Sequence, residues 1–260
     1  PPGVVNVVSG LGEVVGDAMV RHPDVRKIAM TGSTETARII SERAASTLKQ
    51  LSFELGGKSP NIVFADADMD IAVPGASTNA VFTGGAGQTC VAGSRLLIHR
   101  SIYDEMLDKI EAHVEANVRL GNALDHETSM GPIAFDRQYE KVKSYIELGQ
   151  KEGAELMFGG RFGPENFEGR SDGPSLAGGY FVSPTLFREA TNDMRVCREE
   201  IFGPVTCAIP FDDDDEALQI ANDTSYGLAC GVWTKDLKRA HRFIQNVEAG
   251  AVWVNTYRRI

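Results

Sequence analysis

Cysteine is scarce in this chain of 260 residues. There are four, Cys90, Cys197, Cys207 and Cys230, and no two stand at C-x-x-C spacing. A zinc knuckle or redox dithiol motif is therefore not indicated. Thiols so scattered read as reduced ones in a cytoplasmic protein. Histidine is scarce as well, with five residues and no H-E-x-x-H, so no metal site is expected. Positive charge falls short of negative, 26 Lys and Arg against 36 Asp and Glu. A net charge of -10 repels polyanions, which excludes nucleic acid and anionic membrane as expected partners. No apolar run reaches the roughly 18 residues that span a bilayer. The opening "PPGVVNVVSG" lacks the basic and apolar regions of a signal peptide. It also lacks an initiator methionine and reads as the middle of a strand–turn unit. The end, "AVWVNTYRRI", is equally abrupt, and the expectation is a piece of a larger protein.

What is present is alternation. "VVNVV" (4–8) reads as a buried strand, 13–22 as a helix and "RKIAMTG" (26–32) as a strand. "STETARIISERAAS" reads as a helix with Ser33 or Thr34 as N-cap, and "KQLSFEL" (49–55) as a third strand stopped by Gly56-Gly57. This β-α-β-α-β order argues a parallel sheet of the nucleotide-binding type. A second series follows Pro60. Strands are expected at "NIVFA", "RLLIH", "YFVSPTLF" (180–187), "VTCAIPF", "CGVWT" and "AVWVN". Helices are expected over 66–82, 101–118, 136–152, 213–223 and 236–247, and a glycine-rich loop near 159–179. The boundary between the two series falls at Gly56-Gly57. "DDDD" (212–215) reads as the acidic first turn of a helix rather than a cation site. Cys197, Cys207, Cys230, Trp233 and Trp253 read as packing residues.

Four stretches invite chemistry. "FTGGAGQTCVAGSR" (82–95) leads through Gly84, Gly85 and Gly87 to Cys90. A nucleophilic thiol needs close approach by its substrate, and the Cys90 amide could donate to an oxyanion formed by its attack. A buried inert cysteine is the competing reading. "LSFELGGKSP" (51–60) puts Glu54 in an apolar strand before two glycines. A partly buried carboxylate suits a general base, and a solvated Glu or one paired with Lys58 is the competing reading. "TGST" (31–34) and "SGLGEVVG" (9–16) are strand-to-helix turns that could present amides to a phosphate, or simply tight turns. "CREEIFGPV" (197–205) is a rigid turn with adjacent acids and an aromatic, or a plain surface turn.

In this order the four stretches resemble the NAD(P)-dependent aldehyde dehydrogenase superfamily. "ELGGKSP" is similar to its glutamate signature, "GQTC…AGSR" to its cysteine signature, and "EEIFGPV" to its third motif. The resemblance spans essentially the whole chain. It implies a parallel-rich α/β catalytic domain over 57–260, its C-terminal end missing, joined to a partial Rossmann-like cofactor domain over 1–56. It implies oxidation of an aldehyde to the acid, with NAD or NADP as cofactor. Cys90 would be the nucleophile, passing through thiohemiacetal and thioester, and Glu54 the base for hydrolysis. Gly32 and Ser33 would lie by the pyrophosphate, Thr31 and Leu55 by the nicotinamide, and Gly10 near the adenosine end. Glu200 would grip the nicotinamide ribose, with Phe202 packed near the ring. A homodimeric or homotetrameric parent in the cytoplasm is the corresponding expectation. The family's upstream half, with an oxyanion-hole Asn and a ribose-binding Lys, has no counterpart here, so the 260 residues alone are expected to be poorly active. A thiol hydrolase using Cys90, a CoA-acylating relative and a non-catalytic product are the alternatives.

Overall fold

The computed structural model describes residues 1–163, 176 and 178–258. The chain divides into two compact units, Pro1–Gly56 and Gly57–Ile260. Most of the glycine-rich loop expected near 159–179 lies outside the described residues.

The first unit holds a π-turn (Gly12–Gly16) running into α1 (Asp17–Arg21), then β1 (Lys27–Thr31), α2 (Thr34–Ala44) and β2 (Gln50–Glu54). The strands pair in parallel, from Lys27 opposite Gln50 to Thr31 opposite Glu54. Their alternation is legible in the sequence. Ile28, Met30, Leu51 and Phe53 are half-buried, while Lys27, Thr31, Gln50 and Glu54 are exposed. Ser33 caps α2 by accepting the Thr36 amide at 3.1 Å. Arg21 and Arg43 converge on Asp17, which ties α1 to α2. One expectation fails. Residues 4–8 form no strand, and Val4, Val5, Val7 and Val8 are 61–86% exposed. A strand needs a neighbour for its amides and carbonyls, and β1 pairs with β2 alone among the described strands. Apolar composition without a partner does not make a strand.

The second unit contains β3 (Pro60–Val63), α3 (Met69–Ala76), β4 (Arg95–His99), α4 (Tyr103–Asn117), α5 (Asp136–Glu152), β5 (Glu155–Phe158), β6 (Thr185–Arg188) and α6 (Arg195–Arg198). It continues with β7 (Val205–Phe211), α7 (Asp214–Asn222), β8 (Ala229–Trp233), α8 (Leu237–Asn246) and β9 (Ala251–Val254). The sheet runs β5-β6-β7-β4-β3-β8-β9. Every neighbouring pair is parallel except β5 with β6. The central strands are buried along nearly their whole length, which is why they read as continuous apolar runs rather than alternations. No helix of the described residues is long and apolar enough to cross a membrane.

Four elements depart from expectation. The helix expected over 66–82 ends at Ala76. Pro74 interrupts its amide ladder, and the Ser77 and Thr78 hydroxyls bond back to the Val73 and Pro74 carbonyls. The strand expected over 180–187 is regular only from Thr185, because Pro184 breaks the ladder and Val182 makes a single bridge to Phe162. β5 and α6 were not foreseen. Each is four residues, too short to show a period, and β5 exists because β6 offers it an edge. The "DDDD" run is the helix start that was expected. Asp213 caps α7 by accepting the Asp215 and Glu216 amides, and Asp212 pairs with Arg100. Cys197, Cys207, Cys230 and Trp233 are buried in the core, and Trp253 packs partly buried against it.

A buried cation holds this unit together. Arg95 has no exposed surface. Its guanidinium donates to the carbonyls of Lys58, Ile220 and Ala221 at 2.9, 2.7 and 2.8 Å, and to Asn192 Oδ1 at 3.0 Å. Two of these carbonyls belong to the last turn of α7, where a cation complements the helix end. Burial pushes the Arg95 pKa down to about 10. Arg95→Met keeps the volume but leaves those acceptors unpaired. It is expected to cost about 3–5 kcal/mol, from buried acceptors worth roughly 1–3 each. Urea unfolding followed by tryptophan fluorescence measures it, since Trp233 and Trp253 both lie in this unit. A loss under about 1 kcal/mol would show that the carbonyls find other donors.

Candidate functional site

In the second unit three of the quoted motifs meet at one glycine. Gly57, from "ELGGKSP", packs so closely on the cysteine loop that a Cβ there would lie 2.3 Å from the Cys90 carbonyl oxygen. Its amide donates to Glu200 Oε1 at 3.1 Å. Cys90 and Glu200, 110 residues apart in the sequence, are thus both set against the backbone of Gly57. Only glycine allows the first contact, because the obstacle is backbone and cannot rotate away.

The cysteine loop is held from several sides. Gln88 donates to the Gly85 carbonyl at 2.9 Å and accepts the Ala134 amide at 2.9 Å, fastening the loop to the segment before α5. Gly87 is buried at φ +69°, and a Cβ there would lie 2.2 Å from the Gly203 carbonyl oxygen. The loop therefore packs directly on the "EEIFGPV" turn. Gly84 and Gly85 are exposed and have room for a side chain. Of the three glycines before Cys90, only Gly87 is obliged by packing. Cys90 is half-buried, whereas the other three cysteines are fully buried. Its amide has no hydrogen-bond acceptor among the described residues.

The two adjacent glutamates have different surroundings. Arg195 donates to Glu199 through Nε at 2.8 Å, and the Tyr145 hydroxyl makes a short bond to the same carboxylate. The Arg195 guanidinium, with Tyr145, holds the Glu199 carboxyl below its usual range despite opposing burial. Glu199 is thereby a bracing residue. Glu200 points the other way, to Gly57. Phe202 sits at φ +59°, in the left-handed region that costs a bulky residue energy. Gln138 holds it there, donating to the Ile201 and Phe202 carbonyls at 2.9 Å each.

In the first unit Thr31, Gly32, Ser33, Glu54 and Leu55 lie together at the carboxyl ends of β1 and β2, where open parallel sheets bind ligands. Thr31 and Glu54 are register partners on the exposed face. Glu54 is thus exposed rather than partly buried as expected, because the strand alternates and nothing in this unit covers that face. The Gly32 amide is already bonded to the Glu54 carbonyl at 3.0 Å. The Ser33 Oγ is engaged in capping. What the turn offers an anion is the N-terminal end of α2 rather than the Gly32 amide. Gly10 is exposed in the irregular segment ahead of the π-turn, apart from any regular element.

Tyr257 was missed. Its ring lies over Gly93 and Gly231, and its hydroxyl donates to the Val91 carbonyl at 2.9 Å, next to Cys90. Burial pushes its phenol pKa up. Only the fold brings residue 257 to residue 91, so no local pattern announces it.

The model of the aldehyde dehydrogenase family matches residues 1–260. A betaine aldehyde dehydrogenase of Agrobacterium fabrum is 45% identical over 257 residues, 99% of this chain and 50% of that protein. The crystal structure of HpcC from Thermus thermophilus matches with a TM-score of 0.92 at 44% identity, covering 100% of this chain and 49% of that one. Betaine aldehyde dehydrogenase from Staphylococcus aureus, solved in complex with NAD+, matches at 0.88 and 37% identity, covering 96% and 48%. The chain spans about half the length of the curated relatives it matches. With its signature stretches in order and its cysteine and glutamate loops joined at Gly57, the chain belongs to the aldehyde dehydrogenase family.

Proposed function

We propose that these residues serve the NAD(P)-dependent oxidation of an aldehyde to its carboxylic acid, residues 57–260 as catalytic domain and 1–56 as part of the cofactor domain. The observation that carries the reading is the junction at Gly57, where one backbone position sets both Cys90 and Glu200. A free thiol on a braced loop suits a nucleophile, and its unengaged amide suits an oxyanion donor. Nicotinamide dinucleotide fits the remaining groups. The Glu200 carboxylate, with Glu199 occupied elsewhere, is an acceptor for ribose hydroxyls. The end of α2 suits phosphate, with Gly32 and Ser33 beside it, and Thr31, Leu55 and Phe202 would border the ring. When bound, the dinucleotide supplies the hydride acceptor.

Cys90 attacks the aldehyde carbon, and its amide stabilises the oxyanion of the thiohemiacetal. Oxidation leaves an acyl thioester on Cys90. Glu54 takes a proton from water, which releases the acid and frees the thiol. Splitting the reaction this way makes the thioester the species that waits for its base. Glu54 also favours hydrolysis over transfer to CoA. The relatives named for betaine aldehyde make it one substrate to test among several, with NAD and NADP in parallel. We place the protein in the cytoplasm as a homodimer or homotetramer, on the reduced thiols and on the resemblance.

Glu54→Gln in the protein carrying this chain tests the scheme. The expected result is a first turnover of NADH followed by a stall, with acyl mass on Cys90 in intact mass spectrometry. Normal turnover would remove Glu54 from the role. Loss of the first turnover without an adduct would make Glu54 the group that generates the thiolate.

A further inference from the structure

Three polar side chains of α5, Gln138, Tyr145 and Glu152, stand seven residues apart. At about 3.6 residues per turn, seven residues make almost two turns, so the three share one helix face in a row about 21 Å long. All three are half-buried, and α5 buries Val142, Ile146 and Gly149 beside them. Every member of the row bonds to the same short segment. Glu152 accepts the Arg195 and Val196 amides at 3.1 and 3.2 Å, which caps the start of α6. The Tyr145 hydroxyl donates to Glu199, and Gln138 donates to the Ile201 and Phe202 carbonyls. The contacts fall in reverse order along the two stretches. Residues 195–202 therefore run antiparallel to α5 and are fastened to it at start, middle and end.

Seating the helix does not call for this row. The apolar side already packs α5 down, with Val142 against Gly203 and Gly149 against Phe187. Residues 199–204 belong to no helix or strand. The Ile201 and Phe202 carbonyls take no backbone amide among the described residues, and Phe202 holds its left-handed φ of +59°. A bulky residue stays in that region only where its surroundings impose it. The polar row is what imposes it here, because it bonds the segment on both sides of Glu200.

We propose that Gln138, Tyr145 and Glu152 are positioning residues that together set the turn carrying Glu200 and Phe202, and through it the affinity for the dinucleotide. The link to the dinucleotide rests on the reading of Glu200 given above, whereas the hold on the turn does not. Place in the row fixes the size of each effect. Gln138 holds the carbonyls that directly follow Glu200. Tyr145 acts through the neighbouring Glu199. Glu152 acts at the head of α6, where Arg195 and Val196 lie further back along the chain.

Two measurements test it. Limited trypsin digestion of the native 260-residue chain follows cleavage after Arg195 and Arg198, whose side chains are 60% and 43% exposed. Gln138→Met is expected to speed these cuts about tenfold and Tyr145→Phe about threefold, for two hydrogen bonds lost and one. In the protein carrying this chain, calorimetry with NAD reads the consequence. Its Kd is expected to rise about tenfold in Gln138→Met, about threefold in Tyr145→Phe and less than about twofold in Glu152→Met. Glu152→Gln keeps an acceptor and is expected to restore the parent behaviour. Gln138→Met and Glu152→Met each forfeit two bonds to the segment, so a purely structural role would weaken NAD binding in step with their urea midpoints. Glu200→Gln is the control for the underlying reading. If it leaves NAD affinity unchanged, the reading of Glu200 fails, and digestion alone decides on the row. The proposal is overturned by unchanged cleavage after Arg195 and Arg198. It is also overturned if Glu200→Gln binds NAD weakly while the three variants bind it equally well, or in the order of their stabilities.

Discussion

Replacing Cys90 by alanine is expected to lower aldehyde-dependent NADH formation on the order of 10⁴-fold or more, while NAD binding is unchanged. The loss is large because no second group can take the part. Cys197, Cys207 and Cys230 are fully buried, and Cys90 alone of the four is half-exposed. Removing Sγ leaves the loop intact, since the loop is held by Gln88, Gly87 and Tyr257 rather than by the thiol. Labelling gives an independent reading on the 260-residue chain. Iodoacetamide should modify one site quickly in the native chain and none at that rate in Cys90→Ala. Ordinary turnover in the variant, or rapid labelling that survives it, would take the nucleophile away from Cys90.

Gly57→Ala is expected to be nearly as damaging, although it touches no reacting atom. The new Cβ would lie 2.3 Å from the Cys90 carbonyl oxygen. That separation is well inside van der Waals contact, so one of the two backbones must move. Whichever moves, Cys90 or the amide that holds Glu200 is displaced. A shift of about 1 Å at a reacting group costs on the order of 10²-fold in turnover, and overpacking costs about 1–3 kcal/mol of stability. Steady-state kinetics and urea unfolding on the same variant separate the two effects. Gly85→Ala is the contrast for stability, because its Cβ would meet nothing within 4 Å. Unchanged turnover in Gly57→Ala would mean that the close approach at Gly57 does not set the geometry of Cys90.

The alternation of strands and helices was legible wherever the period was long enough. Amphipathic α2 and α5, and the apolar runs of β3, β4, β7 and β8, fall where they were expected. Failures occurred where a neighbour decides. Val4 to Val8 have strand composition but no strand beside them, and "ELMF" becomes β5 only because β6 lies antiparallel to it. The exposure of Glu54 belongs to the same class. Its apolar neighbours Phe53 and Leu55 suggested burial, but strand geometry turns alternate residues to opposite faces.

The sequence by itself determined the identity of the chemical groups: a cysteine after GQT, a glutamate before two glycines, and paired acids before Phe-Gly-Pro. Motif order sufficed for that, because each is a local string. It could not say which glycine was obliged, since Gly84, Gly85 and Gly87 look alike in one dimension. Only packing on Gly203 singles out Gly87, and only the Cys90 carbonyl singles out Gly57. Nor could it assign roles within "EE". Tertiary structure does so by occupying Glu199 with Arg195 and Tyr145 and turning Glu200 to the Gly57 amide. The same holds for Tyr257 over the cysteine loop. Apart from Arg195, four residues before Glu199, the deciding partners are remote along the chain, and contacts at such separations exist only once the parallel sheet has brought its strand ends together.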